Sequence, residues 1–262
     1  MTKKTPTFVL GLAGSAAALL LTAACSGQSS VTNTAGNSGA GTDSGSGPSG
    51  QAKVLFVGDS VALGESQALA AAAAASKLPF QSVAEDGGGN VVGPNSDEIW
   101  KELSGKIDSA KPSVVVYQIT TYDWGSEQEQ KAAYTKLVQK DSDIGAKTVF
   151  VTMPPIKADD FYQSHMADLN RTTSVARKVA DDSSGKAALL DAGAVWGDKY
   201  QQIKDGKADR SSDGIHTCPQ GAARFSNWLL TGLAKLIPGL NPAPAASWAN
   251  TGWAADKHFT GC

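Results

Sequence analysis

Short apolar runs alternate with helix-forming segments between residues 54 and 236, and this alternation limits the possible folds more than any other feature of the sequence. The runs are continuously apolar and rich in β-branched residues, which is typical of strands buried on both faces. Such strands separated by helices predict a three-layer α/β/α sandwich around a mainly parallel sheet of about five strands. Strands are expected at 54–57, 80–84, 113–119, 148–152 and 187–190.

The segments between the apolar runs have high helix propensity or helical spacing of apolar residues, as at Ile99, Leu103 and Ile107. Helices are expected over 62–77, 96–109, 127–140, 159–181 and 220–236, with a break allowed in the fourth. Parallel sheets carry their sites at the carboxyl ends of the strands, so polar residues just after a strand are the first functional candidates.

Composition and charge exclude several functional classes. The chain has 262 residues and a net charge of −2, which does not suit a nucleic-acid-binding protein. No phosphate-binding glycine motif and no metal-ligand spacing is present, so neither a cofactor nor a metal is expected. Any histidine-dependent chemistry must use His165, His216 or His258. A surface or packing role is expected for His165, and no catalytic role is expected for His258, although a disulfide at the nearby Cys262 would let it approach the site.

The N-terminus has the layout of an export signal. Lys3 and Lys4 precede an uncharged apolar stretch over 8–24, which predicts a signal peptide at residues 1–24. The ending "LLTAAC" resembles the lipobox of bacterial lipoproteins, and this resemblance implies that Cys25 is lipidated, for instance by palmitate. An ordinary signal peptide or an uncleaved anchor is the alternative.

Residues 25–51 are rich in Ser, Gly, Thr and Asn and lack aromatic residues. Such a segment predicts a flexible tether between the lipid and a folded domain at 52–262. We therefore expect an exported protein that is anchored to the outer face of the bacterial cytoplasmic membrane.

Two further cysteines, Cys218 and Cys262, lie in the domain. In an exported domain they are expected to form a disulfide, and two free thiols are the alternative. The bridge would close a loop of about 45 residues and contribute about 4 kcal/mol in the chain-entropy description. It would tie the tail at 238–262, which holds Trp248, Trp253 and Phe259, to a point close to His216. The tail either packs against the domain or covers its cleft.

Ser60 follows the first predicted strand in "KVLFVGDSVALGES". It could be the N-cap of the next helix, or a nucleophile beside the amides at the helix start. The second motif, "SSDGIHTCPQG", holds Asp213 and His216 three residues apart, so one tight turn can bring the carboxylate to the imidazole. A serine hydrolase needs this arrangement, in which Asp orients His and His accepts the serine proton.

"GDSVALG" and "DGIH" together resemble the first and last blocks of the GDSL/SGNH hydrolase superfamily, over about residues 53–236. The resemblance implies a flavodoxin-like fold with Ser60 as nucleophile, His216 as base and Asp213 as its partner. It also implies action on esters of lipids, polysaccharides or small acyl groups, by hydrolysis or by acyl transfer.

The resemblance also implies an oxyanion hole made by the Ser60 amide, a glycine and an asparagine. "EDGGGN" supplies Gly87 or Gly88 as the glycine. The third block normally reads G-x-N-D, but "TTYD" places Tyr122 where asparagine is expected. Tyr122 is the candidate replacement, and Thr121 and Asn90 are alternatives. Without any replacement, the chain would be a slow enzyme or a binding protein.

These features predict a cell-surface serine esterase that acts through an acyl-enzyme on O-acyl, above all O-acetyl, esters of envelope glycans or glycolipids. The alternatives are an O-acyltransferase that acts on a sugar hydroxyl and a non-catalytic glycan-binding protein. The expected partners are the ester substrate, the membrane through the lipid anchor and an envelope acyltransferase, for a chain that is otherwise a monomer.

Overall fold

A computed structural model describes residues 52–262 of the chain. The signal peptide, Cys25 and the tether predicted before Ala52 lie outside the described residues. The described part forms a parallel sheet of five strands in the order β2-β1-β3-β4-β5. The strands are Val54–Val57 (β1), Phe80–Ser82 (β2), Val114–Gln118 (β3), Lys147–Val151 (β4) and Ala187–Leu190 (β5). The predicted α/β class and strand number are confirmed.

Helices connect the strands. They are Ser60–Ala75 (α1), Ser96–Ala110 (α2), Glu127–Asp143 (α3), Met166–Asp182 (α4), Gly193–Trp196 (α5) and Pro219–Leu233 (α6). A small antiparallel ribbon, Ile203–Lys204 (β6) and Lys207–Ala208 (β7), lies between α5 and α6. Within residues 52–262, no helix combines the length and apolar character needed to cross a membrane.

Alternate residues of the central strands supply two separate cores, which gives the predicted three layers. Phe56 and Val116 pack towards Leu69 of α1 and Phe225 of α6. On the opposite face, the neighbouring strand residues pack towards α2, α3 and α4, as Val115 does against Leu137. Because both faces of the sheet are covered, β1 is apolar throughout and β3 and β4 are apolar at most positions, and this explains why the sequence pattern was so clear.

The fourth predicted helix, 159–181, starts later than expected. The Asp159 carboxylate accepts hydrogen bonds from the amides of Phe161 and Tyr162, both at 3.1 Å, and so holds the chain in a turn. A 3₁₀ turn at Gln163–His165 follows, and α4 begins only at Met166. Aspartate competes with helix formation in this way when its side chain bonds to the next amides.

The tail packs against the domain through its aromatic rings. Trp248 is 1% exposed, and Trp253 and Phe259 pack against the core between the sheet, α1 and α6. A disulfide between Cys218 and Cys262 joins the tail to the N-cap residue of α6, with a Cα–Cα distance of 5.7 Å. Of the two alternatives for these rings, the structure therefore shows packing.

Three buried carboxyl groups predict an unusual pH dependence of stability. Burial raises the pKa of Glu65 to about 8, and it raises the pKa values of Asp123 and Asp141 to about 7. The unfolded chain loses these protons near pH 4, so between about pH 4 and pH 8 the native state binds more protons than the unfolded state. Stability must therefore fall as the pH rises through this range.

We expect the thermal unfolding midpoint of the domain to be at least about 5 °C lower at pH 8.5 than at pH 5.5. Glu65→Gln should flatten this dependence, because the amide remains neutral and its oxygen can still accept the 2.7 Å hydrogen bond from Gln118 Nε2. Calorimetry of both proteins across the range provides the check. A midpoint that stays constant or rises with pH would contradict the expectation.

Candidate active site

The turn after β1 presents Ser60 at the first residue of α1. Asp59, and not Ser60, caps the helix, because its Oδ1 accepts a 3.0 Å hydrogen bond from the Val61 amide. A side chain at Gly58 would come within 2.5 Å of the Ala62 Cβ, so only glycine allows so tight a turn. The cap interpretation of Ser60 is therefore wrong, and its hydroxyl is left for another partner.

That partner is His216. The Ser60 Oγ lies 2.8 Å from His216 Nε2, and His216 Nδ1 lies 2.8 Å from Asp213 Oδ2. With Asp213 accepting from Nδ1–H, Nε2 can accept the proton of Ser60. The structure therefore brings together the three residues singled out in the sequence, in the order that nucleophilic catalysis by serine requires.

Asp213 is held in its ionised form. Partial burial opposes ionisation, but hydrogen bonds from the Ile215 amide (2.8 Å), the His216 ring and the His216 amide (3.0 Å) outweigh it and lower the pKa of Asp213 to about 2. Within the "DGIH" turn, the amides of Ile215 and His216 thus donate to the Asp213 carboxylate and hold it against the His216 ring. A spacing of three residues between Asp213 and His216 allows this geometry. An ionised Asp213 can stabilise the imidazolium that forms when His216 takes a proton.

Arg210, which sequence reasoning missed, holds this turn against the rest of the domain. Its guanidinium donates to the carbonyl oxygens of Ile215, His216 (3.2 Å) and Pro155 (2.9 Å), and the residue is 1% exposed. Pro155 follows β4, so Arg210 fixes the His216 turn relative to the sheet edge. Nothing in the sequence marks it apart from its place three residues before Asp213.

Asp59 also links the turn after β1 to the loop after β3. Its Oδ2 accepts from the amide and the hydroxyl of Thr121, both at 2.7 Å. Burial raises the pKa of Asp59, although hydrogen bonds from Thr121 and Val61 oppose this effect. Both the amide and the hydroxyl of Thr121 therefore donate to Asp59, and Thr121 does not supply an oxyanion donor.

The glycine run lies next to the nucleophile turn, but its third member makes the closest approach. A side chain at Gly89 would come within 2.2 Å of the Gly58 carbonyl oxygen, and its φ of +78° also requires glycine. Gly87 faces open space directly after Asp86, which lines the cavity beside Ser60, whereas Gly88 lies against the Glu85 side chain. No feature of the sequence distinguishes this structural role among the three glycines, and the oxyanion role of Gly87 or Gly88 stays a prediction.

Asn90, the other alternative donor, is also fully engaged. Its side-chain nitrogen donates to the carbonyl oxygens of Val92 (2.8 Å) and Pro94 (3.0 Å), and the residue is 1% exposed. It therefore shapes the loop that leads to α2 and supplies no free donor to Ser60.

Tyr122 lies in an aromatic cluster, with ring centroids 5.8 Å from Trp124 and 6.4 Å from both Phe161 and Tyr162. The next residue, Asp123, is fully buried and accepts from three hydroxyl groups, those of Tyr117, Tyr134 and Thr120. Tyr117 also accepts a bond from the Val91 amide, so Asp123 connects the β3 loop with the glycine loop. Asp123 thus has a structural role.

Tyr122→Phe is expected to change kcat by less than about threefold, because Tyr122 is absent from the described residues that line the cavity beside Ser60. Steady-state hydrolysis of a small acetyl ester measures this. A loss of about 100-fold would instead show that the tyrosine hydroxyl replaces the missing asparagine.

The cavity beside Ser60 has a volume of about 220 Å³. It is lined by Ser60, Leu63, Asp86, His216, Lys257, His258 and Thr260. Three of these residues come from the tail, so the tail closes one side of the site even though its large rings pack elsewhere. The disulfide and the packed rings bring His258 to the site, as the sequence allowed for a bridged tail. His165 instead stacks on Trp124, with 3.6 Å between ring centroids.

No protein-family profile and no curated protein matches the sequence. Solved structures do match the fold. A protein from Slackia heliotrinireducens assigned to the SGNH hydrolases is 16% identical, with a TM-score of 0.52 over 69% of this chain and 97% of that one. A GDSL-like lipase from Bacteroides thetaiotaomicron is 13% identical, with a TM-score of 0.53 over 71% and 90%.

Axe2, an acetyl xylan esterase from Geobacillus stearothermophilus studied as a W215I mutant, is 14% identical, with a TM-score of 0.52 over 74% of this chain and 97% of that one. At such identities the likeness establishes the fold and leaves the activity to be argued from the site. The strand order, the helical layers and these structures together show that residues 52–262 have the fold of the SGNH and GDSL hydrolases.

Proposed function

We propose that this chain is a serine esterase that forms an acyl-enzyme on Ser60. The observation that carries the proposal is the hydrogen-bonded series Ser60 Oγ, His216 Nε2 and Asp213, with 2.8 Å at each step. Its position at the carboxyl ends of β1 and β3, where the strand order reverses, is where open α/β sheets place ligand sites.

The chemistry follows from this geometry. Ser60 Oγ attacks the ester carbonyl as His216 Nε2 takes its proton, and the resulting oxyanion meets the Ser60 amide at the start of α1, where the helix dipole favours negative charge. His216 then gives the proton to the alcohol oxygen, the C–O bond breaks and the acyl group remains on Ser60. Water attacks the acyl-enzyme with His216 again as base, and the carboxylic acid leaves.

The substrate class that we propose is an O-acetyl ester of an envelope glycan or glycolipid. The cavity beside Ser60 is small, and most of the side chains that line it are polar or charged. That lining suits a short acyl group on a hydroxyl-rich alcohol better than a long hydrocarbon chain. Acetyl xylan esterase activity in a structural neighbour is consistent with this choice.

The location is part of the proposal. A basic pair, an apolar stretch and "TAAC" ending at Cys25 support export and lipidation, and 25–51 would then carry the domain away from the membrane surface. Metabolic labelling with a fatty-acid analogue should mark the wild-type chain and fail to mark Cys25→Ser.

The activity is tested by measuring acetate release from 4-nitrophenyl acetate and from an acetylated sugar with the purified domain. We expect turnover of both compounds. If a folded domain with its disulfide intact released acetate from neither substrate, the proposal would be overturned.

Acyl transfer to a sugar hydroxyl is the second candidate function, and the position of the tail favours it. Lys257, His258 and Thr260 close one side of the Ser60 cavity and so limit the space for water next to an acyl-enzyme. Repeating the assay with a free sugar as acceptor separates the two functions. A transferase would form sugar acetate in preference to free acetate, whereas an esterase would not.

A further inference from the structure

The cavity beside Ser60 has an acid–histidine pair besides the one at Asp213 and His216. His258 Nδ1 is hydrogen-bonded to Asp256 Oδ1, which also accepts a 2.9 Å hydrogen bond from the His258 amide. Asp256 therefore fixes both the orientation and the tautomer of the ring, because its carboxylate accepts a hydrogen bond from Nδ1–H. The second ring nitrogen, Nε2, is left as an acceptor on a residue that lines the cavity with Ser60 and His216.

Several independent contacts hold the segment that carries this pair. The disulfide fixes Cys262, and the Gly261 carbonyl accepts a 2.9 Å hydrogen bond from the Ser212 amide, beside Asp213. On the other side, the Phe259 ring packs at 5.8 Å from that of Trp253. Contacts on both sides of His258 therefore fix its position. A side chain that binds a ligand in one geometry needs such support.

The neighbours of His258 in the cavity have complementary polarity. Lys257 can donate hydrogen bonds, Asp86 can accept them, and Leu63 is the one aliphatic side chain among the described lining residues. A hydroxyl-rich ring both donates and accepts, so it can use all of these groups. A hydrocarbon chain would leave the same groups desolvated and unpaired, which is unfavourable.

We propose that His258, oriented by Asp256, is a specificity-determining residue that binds the alcohol part of the ester, a hydroxyl-bearing sugar, in a polar subsite beside Ser60. The inference rests on the proposed esterase function, which places the ester carbonyl at Ser60 and the sugar next to His258. Binding of the sugar can be measured separately from catalysis. His258 is assigned no proton transfer, since His216 alone lies in hydrogen-bond contact with Ser60.

The binding experiment uses methyl 2-O-acetyl-β-xyloside, which keeps two free hydroxyl groups, and the Ser60→Ala protein, which leaves the ligand intact. NMR titration gives its Kd in the Ser60→Ala background, alone and combined with His258→Ala or Asp256→Asn. We expect His258→Ala to raise Kd about tenfold, since a well-placed hydrogen bond contributes about 1 kcal/mol or slightly more. Asp256→Asn should raise Kd less, because it frees the ring without removing it.

The matched control is Asp198→Asn, the same change at an exposed aspartate outside the cavity, which should leave Kd unchanged. The kinetic counterpart compares His258→Ala with wild type on 4-nitrophenyl acetate and on the acetylated xyloside, which share an acyl group. KM should rise about tenfold for the xyloside, as for the loss of uniform binding, and the loss of kcat/KM should be smaller for 4-nitrophenyl acetate, which carries no sugar.

An unchanged Kd in His258→Ala, absence of xyloside binding to Ser60→Ala, or equal losses on both esters would overturn the subsite. A Kd that depends on His258 in a domain that hydrolyses neither ester would support the subsite and overturn the esterase proposal instead. The two proposals therefore fail in different ways. The Asp256→Asn arm also guards against a tail that no longer folds in His258→Ala.

Discussion

Ser60→Ala is expected to lower kcat/KM for acetyl esters by about 10³- to 10⁶-fold. The alanine removes the hydroxyl oxygen that we propose forms the acyl-enzyme, and it leaves His216 without a proton to accept. The fold should be unaffected, because Asp59 and not Ser60 caps α1. The unfolding midpoint should therefore stay within about 2 °C of wild type.

The matched control for this variant is Ser174→Ala. Ser174 is exposed on α4, and its hydroxyl bonds only to the Arg171 carbonyl of the same helix. It should keep full activity in the same 4-nitrophenyl acetate assay. If Ser60→Ala retained more than about a tenth of wild-type kcat/KM, another group would be the nucleophile.

Asp213→Asn is expected to lower kcat by about 10⁴-fold while leaving the domain folded. Asparagine has the same shape, and its oxygen can still accept from the amides of Ile215 and His216. Its NH₂ group, however, would donate to His216 Nδ1, which places the ring proton on Nε2, where Ser60 needs an acceptor. The loss therefore comes from the wrong tautomer and from an uncompensated imidazolium.

The pH dependence separates this effect from a loss of structure. Because the pKa of Asp213 is lowered to about 2, Asp213 is ionised at every pH above about 4, and its titration should not limit the wild-type rate there. Because the folded-state pKa of Asp213 is lowered, the stability that its carboxylate contributes is present above about pH 4 and is lost as the pH falls towards 2. The hydrolysis rate of Asp213→Asn should thus be low at every pH above 4, and steady-state assays across the pH range measure this. Recovery of activity at any pH in that range would contradict the assigned role.

The fold could be predicted from the sequence because a parallel sheet covered on both faces has central strands that are apolar at most positions. Val54–Val57 and Val114–Gln118 lie where the apolar runs indicated. The boundaries that differed depend on single polar contacts, such as the Asp159 turn ahead of α4. Patterns of hydrophobicity cannot reveal a side chain that bonds to an amide two residues later.

The site was predictable where chemistry demands particular residues at short spacing, as for Ser60 in "GDS" and for Asp213 with His216 in "DGIH". It was not predictable where position depends on distant contacts. Arg210 reaches Pro155 across 55 residues, and His258 reaches the cavity only because the chain returns through the disulfide at Cys262. The same holds for Thr121, whose use by Asp59 removed it as an oxyanion donor.

The most direct test of Ser60 as an activated nucleophile is covalent labelling by a fluorophosphonate, followed by mass spectrometry of the proteolytic peptides. We expect one equivalent of label on the peptide that contains Ser60, no label on Ser60→Ala, and much slower labelling of His216→Ala. A folded wild-type domain that remained unlabelled, or one labelled at another residue, would contradict the claim that Ser60 is an activated nucleophile.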